Sequence, residues 1–381
     1  MKSSSVRCAL AGVLLAYAPL AAQAACDDPP RTDVDWRDCN KAGAELREAD
    51  LDWADLRGTN LQGADLTKAH LVGARLELAN LREARLPGAV LTGALLMGTD
   101  LGKADLARAN LMGTDLKGAL LPGANLSGAK MDDANLEGVN LAGATLAGVD
   151  LSGAFLVQAN LSGADLGGVD LTTALLTGAD LSNARLQGAV LATVVAVGTN
   201  FAGADLSGAN LEGANLRTAT FVGAKLAGAD LSSATLSLAV FTGADLQKAS
   251  FRGSLLVEAK LQGARLQGAI LEGVFLTGAD LREAVLDGAR LQGAVLERAD
   301  LRGVDLRGIS LRGALMGEAK LAGANLQGVE LDGAYLLDAD LSGANLSGTR
   351  PEAAFLRGAT LDGATWSDGR VCAAGSKGVC K

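Results

Sequence analysis

Histidine, the residue most often used in acid–base catalysis and metal binding, is nearly absent from this sequence. His70 is the only histidine, so neither a Ser/His/Asp triad nor a histidine-based metal site has the residues it needs. It stands at an outward position of the repeat described below, where a plain surface role is the simplest interpretation. The Gly-Gly-x-Gly-x-Asp repeat that binds calcium is missing as well. We therefore expect no catalytic, cofactor or metal site and no enzymatic activity.

Acidic residues are numerous, with 43 Asp and Glu among 381 residues, but they recur in step with the repeat. Asp280 and Asp300 lie 20 residues apart at outward positions. We interpret this pair as a strained acidic step on the surface rather than a catalytic dyad.

Four cysteines flank the repeat once Cys8 is set aside with the N-terminal segment: Cys26, Cys39, Cys372 and Cys380. Four cysteines allow three disulfide connectivities. Pairing within each end is favoured if the two ends lie far apart in space. Such bonds fit an oxidising compartment, and neither spacing resembles the Cys-x-x-Cys of redox enzymes.

The N-terminus has the pattern of a signal peptide. Lys2 and Arg7 precede a mostly apolar run over residues 9–20, and small residues then predict cleavage after Ala24. This predicts a periplasmic or secreted protein. A lipoprotein acylated at Cys26 is the alternative, although the residue three before it is polar. No later stretch of about 18 apolar residues predicts a transmembrane span.

The net charge disfavours two classes of partner. The whole chain carries 34 basic and 43 acidic residues; without Lys2 and Arg7, 32 basic residues remain and the formal charge is −11. An acidic chain is poorly suited to bind nucleic acid phosphates or an anionic membrane. We therefore expect protein partners and no nucleic acid.

Leucine recurs every five residues from Leu46 to Leu361, which gives 64 positions. Of these, 56 are Leu, four are Phe and two are Met, and only Ala196 and Pro351 depart from the rule. A second series of small residues, beginning at Ala44, lies two residues before each Leu, and Gly is common two residues after it.

A period of five fits neither a helix nor a flat strand. Five helical steps of about 100° rotate each Leu by about 140° from the last, and five strand steps alternate the faces. Both conflicts disappear if the chain turns a corner every five residues. The small residue and the Leu then point inward and the residue between them points outward, while Gly suits the corner.

Runs such as Ala204-Asp205-Leu206-Ser207-Gly208 resemble the pentapeptide-repeat family, whose pattern is small, Asp or Asn, Leu, any, any. The resemblance implies an all-β, right-handed quadrilateral β-helix with four pentapeptides per coil. The 64 repeats then give about 16 coils and, at a strand spacing near 4.8 Å, a rod about 75 Å long. A leucine-rich repeat has a longer and unevenly spaced unit.

The predicted organisation is a signal peptide (1–24), an N-terminal cap (25–45), the solenoid (46–363) and a C-terminal cap (364–381). Trp36 and Trp366 continue the inward phase, so we expect them to act as lids, with each disulfide holding a short cap. Val194 offsets the small Ala196, and Pro351 predicts a local bulge.

Stepping by 20 residues compares positions on one side of the rod. One side is apolar where the family usually has Asp or Asn, and Val157, Val197, Val257 and Leu337 extend it at the corner. The adjacent side alternates acid and base: Asp165, Arg185, Asp205, Lys225, Asp245 and Arg265. The candidate interface consists of the apolar outward residues Phe155, Leu175, Val195, Leu255, Phe275, Val295, Leu315, Tyr335 and Phe355.

Three hypotheses follow. The first is an exported, non-enzymatic structural or interaction scaffold that docks on a protein partner or forms a homodimer through the apolar side. The alternative interpretation of that side is the strand propensity of branched and aromatic residues. The second is suggested by the family resemblance: a DNA mimic that binds DNA gyrase, as some family members do. This sequence differs from those members in its signal peptide and its apolar side. The third is an enzyme.

Overall fold

The computed structural model describes residues 25–381, so the predicted signal peptide (1–24) lies outside the described residues. Parallel bridges join nearly all outward residues to the one 20 positions later, from Asp35–Asp55 to Asn345–Thr365. Each side contributes a single bridged residue per coil, so these rungs are isolated bridges rather than longer strands. The chain is a right-handed quadrilateral β-helix of about 16 coils. The bridges already begin within the predicted N-terminal cap, at Asp35.

Each corner is closed by one backbone hydrogen bond. The amide of the small residue donates to the carbonyl of the Leu three positions earlier, as from Ala64 to Leu61 at 3.0 Å. The second corner residue has positive φ, 66° at Gly63, as a type II turn requires. Residues other than Gly also occur there, including Thr218 at φ 57°, and such backbone costs roughly 1–2 kcal/mol. The common Gly after each Leu avoids this cost.

Backbone hydrogen bonds join every coil to both of its neighbours. The amide of Leu61 donates to the carbonyl of Asn80 in the next coil at 2.7 Å, and the amide of Asn80 donates to the carbonyl of Thr59 at 3.0 Å. Each three-residue side therefore behaves as one rung of a parallel sheet.

The interior is a column of Leu beside Ala, almost all of it fully buried. Phe201, Phe221 and Phe241 replace Leu on three successive coils and stack with ring centroids 4.9 and 4.7 Å apart. Ala196 and its neighbour Val194 are both fully buried. The larger Val194 can therefore fill the volume that is lost where Ala196 replaces Leu.

Pro351 lies where the sequence predicts a bulge, and the prediction is confirmed. A single 3₁₀ turn spans Pro351–Ala353, the only helix of the described residues, and the Pro ring is buried. The carbonyl of Ala353 accepts the amide of Gly333 at 2.8 Å, one residue beyond the usual partner. The next rung, Tyr335–Phe355, is back in register.

The N-terminal end is covered by a short segment joined to the first coil. A disulfide links Cys26 to Cys39. Trp36 is fully buried, and its indole nitrogen donates to the carbonyl of Asp28 at 3.2 Å. This is the lid expected from the sequence.

The C-terminal tail closes the other end by reversing direction. Thr360 and Thr365 pair antiparallel with Lys377 and Val371. Cys372 and Cys380 form the second disulfide, so both bonds join cysteines of the same end, as the sequence favours. Trp366 is partly buried against the core.

The aromatic stack generates a stability prediction. Because Phe221 is fully buried between two rings, Phe221→Ala should lower the free energy of unfolding by about 3–5 kcal/mol. Phe221→Leu restores the side chain that the repeat uses elsewhere and should cost about 1–2 kcal/mol. Urea unfolding followed by circular dichroism checks both variants. Equal losses for Ala and Leu would contradict this account of the core.

Candidate interaction face

The outward residues form four vertical rows, one on each side of the rod. We define the apolar side as the row bridged continuously from Phe155 to Phe355. Nine of its eleven outward residues are hydrophobic, and Asn215 and Thr235 are the two polar members. The structure thus places all nine predicted interface residues in one row.

Large side chains on this side reach the solvent. Phe155 is 56% exposed, Phe275 and Tyr335 are each 42% exposed, and Phe355 is 51% exposed. The rings of Tyr335 and Phe355 stack at 4.5 Å. Leu175, Val195, Val295 and Leu315 are half-buried between their neighbours in the row. The result is a mostly hydrocarbon surface along eleven coils, interrupted only at Asn215 and Thr235.

These residues displace a hydrogen bond that the other rows form repeatedly. An outward Asp or Asn accepts the amide two residues later with Oδ1, as Asp115 does from Lys117 at 3.1 Å and Asn135 from Glu137 at 3.2 Å. Both belong to the same side, just before Phe155. A hydrocarbon side chain cannot accept that bond, which contributes about 0.5–1.5 kcal/mol. If strand propensity alone explained the apolar row, it would have to compensate for the loss of this hydrogen bond at each of the nine hydrophobic positions.

Apolar outward residues are few on the remaining sides. From Asp35 onward the three other rows contain six: Val90, Leu120, Val190, Val240, Ile270 and Val285. The apolar side and its extension down to Leu95 contain ten. Propensity acts equally on all four sides, so this distribution points to a demand specific to one of them.

Corner residues widen the apolar side. Val157, Val197, Val257 and Leu337 lie directly after it, as the sequence predicts. Sequence analysis missed Leu238, which is 41% exposed at the same corner. The missed signal is a Leu at the second corner position, where Gly is the usual residue. Leu238, Val257 and Thr235 line a shallow groove of about 360 Å³.

Charged residues border the opposite edge of the apolar side. Arg252 donates to Glu272 at 2.9 Å in the next coil, and Arg290 also pairs with Glu272. Glu212 and Arg312 continue this edge above and below and are exposed. The apolar side is therefore bordered by a charged edge on one side and, on the other, by a corner where hydrophobic residues alternate with polar and charged ones such as Arg217 and Glu297.

The alternating charged row forms the expected ladder, but on a different side. Asp165 pairs with Arg185 at 2.7 Å, and the pairs Asp205–Lys225 and Asp245–Arg265 follow at 3.9 and 3.6 Å. The prediction that this row is adjacent to the apolar side is wrong. Ten residues separate Phe155 from Asp165, which is two sides of a four-sided coil, so the charged row lies opposite.

Asp280 and Asp300 are not a strained acidic step, which corrects the sequence interpretation. Each carboxylate accepts two hydrogen bonds from the Arg two residues later, Arg282 at 2.9 and 2.6 Å and Arg302 at 2.8 and 2.6 Å. Arg282 also lies 3.7 Å from Asp300. These hydrogen bonds lower the pKa of both carboxyl groups below the usual value. The four groups form a neutralised network.

Sites for chemistry are sparse in the described part of the chain. His70 is exposed in a row between Asp50 and Val90. No cluster of three His, Cys, Asp or Glu side chains that could hold a metal ion occurs among residues 25–381. Over the same residues, no helix is long and apolar enough to cross a bilayer.

The Asp–Arg network generates a pH prediction. Because the pKa of Asp280 and Asp300 is lower in the folded protein, their contribution to stability is present above about pH 4 and is lost as the pH falls through the folded-state values. Arg282→Gln removes the guanidinium that donates two hydrogen bonds to Asp280, so the pKa of that carboxyl should rise. Carbon-detected NMR titration of the Asp side chains measures this directly. Arg307→Gln, which should raise only the pKa of Asp305, is the matched control.

The match to a family model agrees with the repeat architecture. A family model described as "Pentapeptide repeats (8 copies)" matches overlapping segments over residues 32–192 and 199–367. HetL from Nostoc sp. strain PCC 7120, a pentapeptide repeat protein involved in heterocyst differentiation regulation, is 32% identical, with 69% of this chain and 92% of HetL covered and a TM-score of 0.21.

Two further solved structures are similar over shorter stretches. Rfr23 from Cyanothece 51142 is 37% identical over 24% of this chain and 58% of its own, with a TM-score of 0.15. QnrB1, a plasmid-mediated fluoroquinolone resistance protein, is 21% identical over 46% and 90%, with a TM-score of 0.21. No curated protein matches. The repeat match alone covers most of the sequence, and the chain therefore belongs to the pentapeptide-repeat family.

Proposed function

We propose that this protein is an exported, non-enzymatic scaffold that binds another protein through the apolar side. The observation that carries the proposal is the concentration of exposed hydrophobic residues, nine of eleven, in the row from Phe155 to Phe355 on one side of four. Contiguous apolar surface of this extent on a soluble protein marks an interaction site.

The anatomy of the apolar side supports a protein partner. Phe275, Tyr335 and Phe355 are half-exposed aromatic anchors, and the Arg252–Glu272 pair belongs to the charged edge that borders their row. Aromatic anchors with a polar rim are the usual composition of protein interfaces. The outward residues are held by a hydrogen-bonded backbone, so little ordering is needed when a partner binds.

Export is supported by the sequence pattern at the N-terminus and by the cysteines. Both cap disulfides require an oxidising compartment to form and persist, and they involve all four cysteines of the described residues. We place the protein in the periplasm or outside the cell. Recovery of the protein in the membrane fraction with Cys39 as a free thiol would instead favour acylation at Cys26, because an acylated Cys26 cannot form the bond to Cys39.

The DNA-mimic alternative lacks a specific observation in its favour. A mimic needs an acidic surface, whereas here Asp residues are paired with Arg in the charged row and in the Asp280 network. Excess purified protein should leave DNA gyrase supercoiling unchanged; inhibition or protection in that assay would favour the alternative.

Photocrosslinking in living cells tests the proposal. A crosslinking amino acid at Phe275 should yield an adduct, whereas the same amino acid at Val285 should not. Val285 is a matched control because it is an outward apolar residue of similar exposure, 37% against 42%, on the charged side. Equal adducts at both positions, or none at Phe275, Tyr335 and Phe355, would overturn the proposal.

Substitution provides the quantitative version. Phe275→Asp should weaken the captured complex at least tenfold, since a carboxylate then has to be desolvated in the contact. Val285→Asp should leave it unchanged. Thermal unfolding of both variants controls for stability, because each residue is outward and neither contributes to the buried column.

A further inference from the structure

We propose that the apolar side binds a second copy of this chain in antiparallel orientation. The twofold axis lies midway between the coils of Leu255 and Phe275. The contact spans ten coils, from Leu175 to Phe355. This inference rests on the proposed function, because it takes the apolar side as the interaction surface and assigns its occupant.

The charged edge beside the apolar side carries the argument. We define this edge as the row of first corner residues three positions before each outward residue. Its charges read minus, neutral, plus, minus, neutral, plus, and this order inverts its sign when it is read backwards. The six residues are Glu212, Ser232, Arg252, Glu272, Gln292 and Arg312.

In an antiparallel face-to-face pair, that inversion places opposite charges of the two copies next to each other. A twofold axis perpendicular to both rods and lying in the contact plane brings the same edge of each copy together in reversed order. Arg252 then faces Glu272 of the other copy, and Glu212 faces Arg312. Each pair occurs twice by symmetry, and no like charges meet along the six positions.

The hydrophobic residues match in the same register. Leu255 faces Phe275, so the centre of the contact is apolar on both sides of the axis. The two polar members, Asn215 and Thr235, face the larger Leu315 and Val295. The outer pairs in this register are Leu175 with Phe355, Val195 with Tyr335, and the corner residues Val197 with Leu337.

The area agrees with a stable dimer. Ten coils at about 4.8 Å extend about 48 Å, and a five-residue side spans at most about 16 Å. The footprint is then at most about 750 Å² per copy, slightly below the roughly 800 Å² per partner of a standard interface.

A parallel pair is less complementary. It would place every outward residue opposite itself, so Phe275 would face Phe275, and Thr235 would face Thr235. Arg252 and Glu272 would face Val257 and Thr277 across the contact, and their charges would gain no partner from the other copy.

Complementary charge reversal tests the register. Arg252→Glu and Glu272→Arg should each raise the dimer dissociation constant at least about tenfold by placing like charges opposite each other. An equimolar mixture should regain a dimer of one copy of each, measured by analytical ultracentrifugation and native mass spectrometry. No recovery in the mixture would overturn the proposed register.

A matched control is available on the same side below the contact. Lys117 and Glu137 are also paired one coil apart, at 3.0 Å, outside the ten coils. Lys117→Glu and Glu137→Arg should leave the dissociation constant unchanged, alone and mixed. A change of the same size would mean that general electrostatics, not the register, governs association.

Cysteine crosslinking distinguishes the orientation. Nine coils, about 43 Å, separate Leu175 from Phe355 within one chain, so a disulfide between them can only join two copies. The double variant Leu175→Cys with Phe355→Cys should oxidise to a covalent dimer on a non-reducing gel. Leu175→Cys alone should not; a dimer from that single variant would show the parallel pair and overturn the proposal.

Failure of this inference is separable from failure of the proposed function. If the purified protein stays monomeric at high concentration while Phe275 crosslinks to a different protein in cells, the dimer is wrong and the docking function stands. If Phe275 gives no adduct of either kind, both fail.

Discussion

The structure depends on one repeated hydrogen bond, from the amide of each small residue to the carbonyl of the Leu three positions earlier. This bond and the left-handed residue inside it turn the chain through a corner after each three-residue side. Four such corners return the backbone to its starting side, as the bridge from Asp35 to Asp55 shows. A change of one residue in the period would move Leu out of the core, so the corner fixes the core and the surface together.

Because the coil is fixed, inward and outward positions of the repeat are under different constraints. Inward positions are constrained by volume, with Leu beside Ala and exchanges such as Val194 for Ala196. Outward positions are free to vary once the corner amide is satisfied, and Asp or Asn satisfies it locally. Where Phe155 and its successors replace these residues, the fold loses a local hydrogen bond and gains a surface. The interaction face is therefore a departure from what the fold itself favours.

Much of the fold could be predicted because one period governs the whole chain. The inward residues, the lid at Trp36, the bulge at Pro351 and the pairing of cysteines at each end follow from phase and position. The position of the charged row was wrong because ten residues were treated as one side rather than two. The role of Arg282 was missed because it lies at a corner, and only three-dimensional geometry shows that its side chain folds back onto Asp280. The antiparallel pairing proposed for the apolar side was not predicted either, because it depends on which row of corner residues borders that side in three dimensions.

The reversed C-terminal tail gives the molecule a defined length. Many of the amides and carbonyls that would otherwise continue the ladder are occupied by the chain itself, as between Trp366 and Arg370 at 2.8 Å. Further copies cannot extend the solenoid at that end by strand addition. Residues on one side of the rod therefore repeat at intervals of about 4.8 Å. Any assembly that binds along this side has contacts at that spacing, and its length is limited by the number of coils.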